Sequence, residues 1–193
     1  MALTLRGNDP ATLLARARLY EQQGKVDLAQ SDYDLAVSMR PTDVPTLLSR
    51  AQYLKERGDI DAAMGDWTAV LKLEPSNLSA LLNRARVYAN WGRPELALAA
   101  LDAAAKVSPD QAAIYAMRAS LLVDQGNFTG ANDNIDQAVA RDPNNVQLLM
   151  RRAGLLEKTA TMQEALEVYG QVLAIDNTVI EAYLRAGALR YKR

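Results

Sequence analysis

The feature that most constrains this chain is that its residue types return at a fixed step along nearly its whole length. Reading outward from Arg84 in "NRARVY", an arginine recurs at Arg16, Arg50, Arg118 and Arg152, evenly spaced and each followed by alanine: Ala17, Ala51, Ala85, Ala119 and Ala153. Other columns keep the same step. Gly24, Gly58, Gly92 and Gly126 form one, with Ala160 in the fifth unit; Ala29, Ala63, Ala97, Ala131 and Ala165 form another. A bulky column holds Tyr33, Trp67, Leu101, Ile135 and Tyr169, and Pro41, Pro75, Pro109 and Pro143 close the units, with Asn177 in the fifth. Units 10–43, 44–77, 78–111, 112–145 and 146–179 follow one another without insertion or deletion. A period of this length means small supersecondary units that bury their apolar faces on one another.

Within each unit the spacing predicts helix, turn, helix. Leu81, Ala85 and Tyr88 fall at i, i+4, i+7, on one face of a helix. Gly92 breaks that helix, and Leu96, Ala97, Leu101 and Ala104 are read as the inner face of a second one. Asn8, Thr42, Ser76, Asp110, Asn144 and Thr178 occupy the column before each first helix and are read as N-caps. Asn144 with Gln147, and Thr178 with Glu181, have capping-box spacing. Second helices are expected to start after Asp59, Asn127 and Thr161, with Pro94 in a first turn.

These columns resemble the tetratricopeptide repeat family, over residues 8–193. In the second unit the matching positions are Leu47, Ala51 and Leu54, then Ala63, Trp67 and Pro75. The resemblance implies an all-α fold: a right-handed α-solenoid of stacked helix–turn–helix repeats, with first helices lining a concave side. The whole chain, 1–193, then reads as one array, closed by a capping helix over 180–193. Glu181, Arg185, Arg190, Lys192 and Arg193 would give that helix a charged outer face.

The resemblance implies that the arginine column, which more often carries Leu in the family, lies at a seam between helices, where a guanidinium needs water or an anion. Asp32 follows Arg16, Asp66 follows Arg50 and Asn134 follows Arg118 at one common spacing, each on the second helix of the same unit. Ala100 and Val168 interrupt that pattern. Arg84 is therefore expected to reach back to Asp66, and Arg118 and Arg152 to use Asp102, Asp133 or Asp136. One reading makes this ladder a stacking device; the other makes it a line of cations for an extended anion or RNA.

A second stripe lies beside the packing face of each first helix. One column is apolar throughout: Leu14, Leu48, Leu82, Ala116, Met150 and Leu184. The next column reads Arg18, Gln52, Arg86, Ser120 and Gly154. An apolar strip edged with polar groups suits an extended or helical peptide, or it packs between neighbouring first helices. One relative of the family grips a carboxylate with Lys and Asn on successive first helices. Here the lysine sites hold Leu14, Leu48 and Leu82, while Asn83 and Arg151 match isolated parts. Trp91 stands in a polar column and is either a contact hot spot or a ring folded over a helix end.

Composition narrows the function classes. The chain has no His and no Cys, which removes the usual bases, thiol nucleophiles and metal ligands, so no enzyme, cofactor or metal is expected. A net charge of −1 disfavours nucleic acid as the partner. No apolar run approaches the length of a membrane span, and a cytoplasmic protein is expected. The favoured reading is a scaffold or adaptor binding a protein or peptide. The alternative is an interaction arm of a larger enzyme or assembly factor. Self-association is left open, because "ELALAALDAAAKV" is poor in charge.

Overall fold

The computed structural model describes residues 9–159 and 161–191. The cap read at Asn8, the column residue Ala160 and the terminal charges Lys192 and Arg193 lie outside them. The described residues form helices only, and the sequence period holds to the residue. First helices are α1 (Pro10–Gln22), α3 (Val44–Glu56), α5 (Leu78–Asn90), α7 (Ala112–Asp124) and α9 (Val146–Lys158). Second helices are α2 (Val26–Met39), α4 (Ile60–Leu73), α6 (Pro94–Val107), α8 (Phe128–Arg141) and α10 (Met162–Ile175), followed by α11 (Ile180–Tyr191).

The turn inside each unit needs a left-handed residue. Gly58 has φ 83°, and its N–H donates to Lys55 O at 3.1 Å while the next N–H, of Asp59, donates to Leu54 O at 2.9 Å. These bonds satisfy carbonyls that the end of α3 leaves free, and only glycine adopts that φ without strain. Lys25 closes α1 the same way on Tyr20 O at 2.8 Å.

The first-helix caps sit one residue later than the sequence reading placed them. Asp43, Asn77 and Asn145 accept from the N–H of Thr46, Ala80 and Leu148 at 3.1, 3.1 and 3.2 Å. Thr42, Ser76 and Asn144 precede the cap. Asp9 and Gln111 are the caps of α1 and α7 and make no side-chain cap bond, so Asp110 too falls one position early. Asn144–Gln147 is therefore not a capping box. Thr178 lies two residues before α11 and bonds Asp176 instead. Adjacent residues of equal capping chemistry hid the register. Backbone geometry chose between them, with Asp43 extended at φ −83°, ψ 103° and its own carbonyl accepting from Leu47 N. Asp59 and Asn127 cap second helices as expected, and Pro94 opens α6, whose inner face holds Ala97, Leu101 and Ala104 but not Leu96, which is exposed. Thr161 starts α10 but turns its hydroxyl to Leu156 O at 3.0 Å.

Two compact units divide after Gly92. In the first, α1 packs on α2 and α3 on α4, with α2 against α3 and α4 against α5. Its core is built on the small columns Ala17, Ala29, Ala51 and Ala63, which let helices approach closely, and on Tyr33 and Trp67, which fill the remaining gap. In the second unit α7 packs on α8, α9 on α10, and α11 on α10. There Ala153 and Ala165 flank Tyr169, and Ala182, Ala186 and Leu189 seat α11 on the core.

That seating corrects the expected capping helix in part. Glu181, Arg185 and Arg190 face outward, yet so do Ile180, Tyr183, Leu184 and Tyr191, at 72, 54, 69 and 94% exposure. No helix among the described residues is long and apolar enough to cross a membrane.

Candidate binding grooves between first helices

Side chains of α1 and α3 enclose a groove of about 590 Å³ in the first unit. Its walls are Arg18, Glu21 and Gln22 from α1, and Leu48, Ser49, Gln52 and Glu56 from α3. Tyr33 and Tyr53 form its base, with ring centroids 4.8 Å apart at 31°. Arg18 Nη2 donates to Ser49 Oγ at 3.2 Å across the groove, and Gln52 bonds Glu56 one turn on. Tyr33 Oη donates to Glu21 Oε2 at 3.1 Å. Burial, reinforced by the Glu21 charge, pushes the Tyr33 phenol up to about 12. Tyr53 donates to Val26 O at 3.1 Å, and burial raises its phenol too.

In the second unit α7, α9 and α11 enclose a groove of about 420 Å³. Ala116, Ala119, Ile135 and Leu155 supply its apolar floor, and Ser120, Val123 and Gly154 its sides. Arg151, Lys158 and Arg185 line it against a single acid, Asp124. The two grooves thus differ in sign: one cation faces two acids in the first, and three cations face one acid in the second. Arg185 is held by Glu157 at 3.7 Å and Glu181 at 3.4 Å. Glu157 also accepts from Tyr169 Oη, and burial raises that phenol.

Of the sequence-derived site residues, Arg18, Leu48 and Gln52 share the first groove and Arg151 lies in the second. Leu14, Leu48 and Met150 are half-buried and pack against the unit cores. Leu82 is half-buried and Arg86 exposed; neither lines these grooves. Asn83 Nδ2 donates to Ser79 O at 2.9 Å, and its Oδ1 accepts from Lys55 Nζ at 3.5 Å. Trp91 is 42% exposed and meets the Tyr88 ring edge-on at 6.2 Å.

The sequence reading set Glu21 in the stripe of Leu14 and Arg18 but did not single out the tyrosine bases or Glu157. A signal was present: Tyr33 follows Glu21 at the same spacing at which Tyr169 follows Glu157, whereas Trp67, Leu101 and Ile135 follow Lys55, Ala89 and Val123. A glutamate stands in that column where the bulky residue has a hydroxyl.

The arginine ladder is largely neutralised by carboxylates. Arg16 grips Asp32 through Nε and Nη2, both at 2.6 Å. Arg50 grips Asp66 and also reaches Asp34. Arg118 pairs with Asp102 at 3.1 Å and Arg152 with Asp136 at 2.7 Å. Arg118 and Arg152 thus use two of the aspartates expected of them, and one expectation is corrected. Arg84 does not take Asp66, whose two oxygens belong to Arg50; its Nη2 donates to Tyr88 Oη at 2.9 Å and its Cζ lies 5.4 Å from that ring centre. Asn134 does not take Arg118; its Nδ2 donates to Gly130 O at 2.7 Å, an intrahelical bond that an amide makes and a carboxylate does not. Among the described residues no cluster of carboxylates is arranged to hold a metal ion.

Family profiles described as tetratricopeptide repeat match residues 10–43, 54–121 and 116–179, which together span most of the chain. No curated protein matches the sequence. Among solved structures the chain is similar to MamA, at 16% identity and TM-score 0.78 over 89% of this chain and 93% of that one. It is similar to a thermophilic repeat protein of Thermus thermophilus, at 19% identity and TM-score 0.60 over 94% and 99%. It is also similar to YrrB, described as having an unusual peptide-binding site, at 15% identity and TM-score 0.72 over 92% of each chain. At such identities the likeness is one of fold, an α-solenoid of stacked helix–turn–helix repeats.

Proposed function

This chain belongs to the tetratricopeptide repeat family, and from that premise we propose that it is a non-catalytic protein-interaction scaffold whose ligand lies against the first helices. The observation that carries the reading is the coincidence of the apolar and polar first-helix columns with open grooves: Arg18, Leu48 and Gln52 in one unit, and Ala116, Ser120 and Gly154 in the other, where Arg151 joins them. An apolar floor with a polar rim fixes a peptide by one or two buried side chains and orients it by charge. The cationic rim of the second groove suits an apolar anchor flanked by acidic residues, and the acidic rim of the first suits the opposite charge. YrrB supports a peptide as ligand class, by analogy of fold alone.

The anion-binding alternative draws less support, because Asp32, Asp34, Asp66, Asp102 and Asp136 already occupy the guanidinium groups it needs. The same scaffold serves equally as the interaction arm of a larger enzyme or assembly factor.

The test is photo-crosslinking in the source cells, with a crosslinking residue at Gln52, at Arg151 and, as control, at the exposed Asp61 of α4, which lines neither groove. Crosslinks from Gln52 and Arg151 to a shared set of protein partners, absent from Asp61, support the proposal. Equal yields from all three positions defeat it.

A further inference from the structure

Resting on the reading that the ligand lies against the first helices, we propose that the groove between α1 and α3 takes a basic side chain, arginine or lysine, of a peptide partner, and that Arg18 is a tethered competitor for that place. The ladder acids of this unit are already paired, Asp32 with Arg16, and Asp34 and Asp66 with Arg50. Glu21 and Glu56, which line the groove, are not: no ion pair among the described residues includes either. Glu21 accepts from the Tyr33 hydroxyl at 3.1 Å, and Glu56 accepts from the side-chain amide of Gln52. Each carboxylate keeps acceptor capacity for a further donor.

The surroundings of the two acids suit a long cationic side chain. Glu21 comes from α1 and Glu56 from α3, so both walls of the groove carry negative charge. Half-buried Leu48 offers apolar contact to the stem of such a side chain. Tyr33 and Tyr53, each 2% exposed, close the base and exclude water from below, which strengthens a charge pair formed above them. Two acids are too few to enclose a metal ion, and among the described residues no third joins them.

Arg18 already brings a guanidinium to the groove. It stands one turn before Glu21 on α1 and bonds the Ser49 hydroxyl at 3.2 Å. Its charge opposes the rise of the Tyr33 phenol, so it lies near the same hydroxyl that Glu21 accepts from. It forms no ion pair with Glu21 or Glu56, and a single exposed bond to a neutral hydroxyl is weak. An incoming cation that reaches both acids displaces it.

NMR titration of the full chain tests this, with blocked tripeptides that carry leucine at both ends and arginine, lysine, glutamine or glutamate in the middle. The arginine and lysine peptides are expected to shift the backbone amides of Glu21, Gln52 and Glu56 saturably. They should bind about three-fold tighter than the glutamine peptide, with the glutamate peptide weakest. Glu21→Gln and Glu56→Gln retain an acceptor for Tyr33 and Gln52, and each is expected to reduce that preference. Arg18→Gln, which keeps a donor for Ser49, is expected to tighten the basic peptides by about three-fold. The amide spectra of the variants verify folding. Equal binding of the basic and glutamine peptides, or binding of none, overturns the proposal. Weaker binding in Arg18→Gln overturns the competitor role and makes Arg18 a ligand contact. Each of these results leaves the peptide surface standing on the crosslinks from Gln52, whose absence removes that reading instead.

Discussion

Arg50 and Asp66 are locked in a two-pronged pair: Nε donates to Oδ2 at 2.9 Å and Nη2 to Oδ1 at 2.6 Å, with Asp66 only 4% exposed. The remaining nitrogen, Nη1, reaches Asp34 Oδ1 at 2.9 Å. One guanidinium therefore joins α3 to its own second helix and to the preceding one. Geometry of this kind sets register, because a carboxylate displaced by one turn loses both bonds.

Removing the buried acid is expected to cost more than removing an exposed one. Asp66→Ala strands part of a half-buried guanidinium and should destabilise the chain by about 2 kcal/mol. Asp102→Ala, where the acid side chain is 52% exposed, should cost under about 1 kcal/mol. Urea unfolding midpoints of the two variants check the order, and equal losses refute the register argument.

The helix caps give a test of one-residue resolution. Asp43→Ala, Asn77→Ala and Asn145→Ala should each cost about 1 kcal/mol, since each leaves an N–H of its helix unpaired. Thr42→Ala, Ser76→Ala and Asn144→Ala should stay within about 0.5 kcal/mol of the parent. A reversal between neighbours, seen in thermal midpoints, would move the caps one position toward the N-terminus.

Alkaline pH should weaken the first unit through Tyr33. An unfolded tyrosine loses its proton near pH 10, whereas burial beside Glu21 holds Tyr33 to about 12. Between those values the folded chain binds more protons than the unfolded one. Stability that is intact below pH 10 therefore falls as pH rises toward 12. Tyr33→Phe should flatten that decline in denaturant midpoint, and an undiminished decline in the variant would refute the assignment to Tyr33.

The two tryptophans should report separate environments. Trp67 is 1% exposed in the core and Trp91 is 42% exposed beside Tyr88. Acrylamide should quench the emission in two components, and Trp91→Phe should remove the accessible one while leaving the blue-shifted core signal. A single component before and after the substitution would contradict the burial of Trp67.

Periodicity alone determined the repeat boundaries, the helix pairs and the small-residue columns, because which residues share a helical face depends only on their spacing along the chain. The resemblance to the repeat family implied that the arginines lie at a seam. What it left open was decided by distances between helices. Asp32 and Asp34 stand close together on α2, yet Arg16 takes the first and Arg50 the second, because each guanidinium reaches whichever carboxylate the stacking brings near. Thr42 and Asp43 have equal capping chemistry, and only backbone direction selects Asp43. Tyr33 and Trp67 read alike as bulky core, until the fold sets a carboxylate beside one hydroxyl and turns two mutually tilted rings into the base of a groove. Contacts within a helix follow from order along the chain; contacts across a seam follow from the tertiary packing that orders the seams.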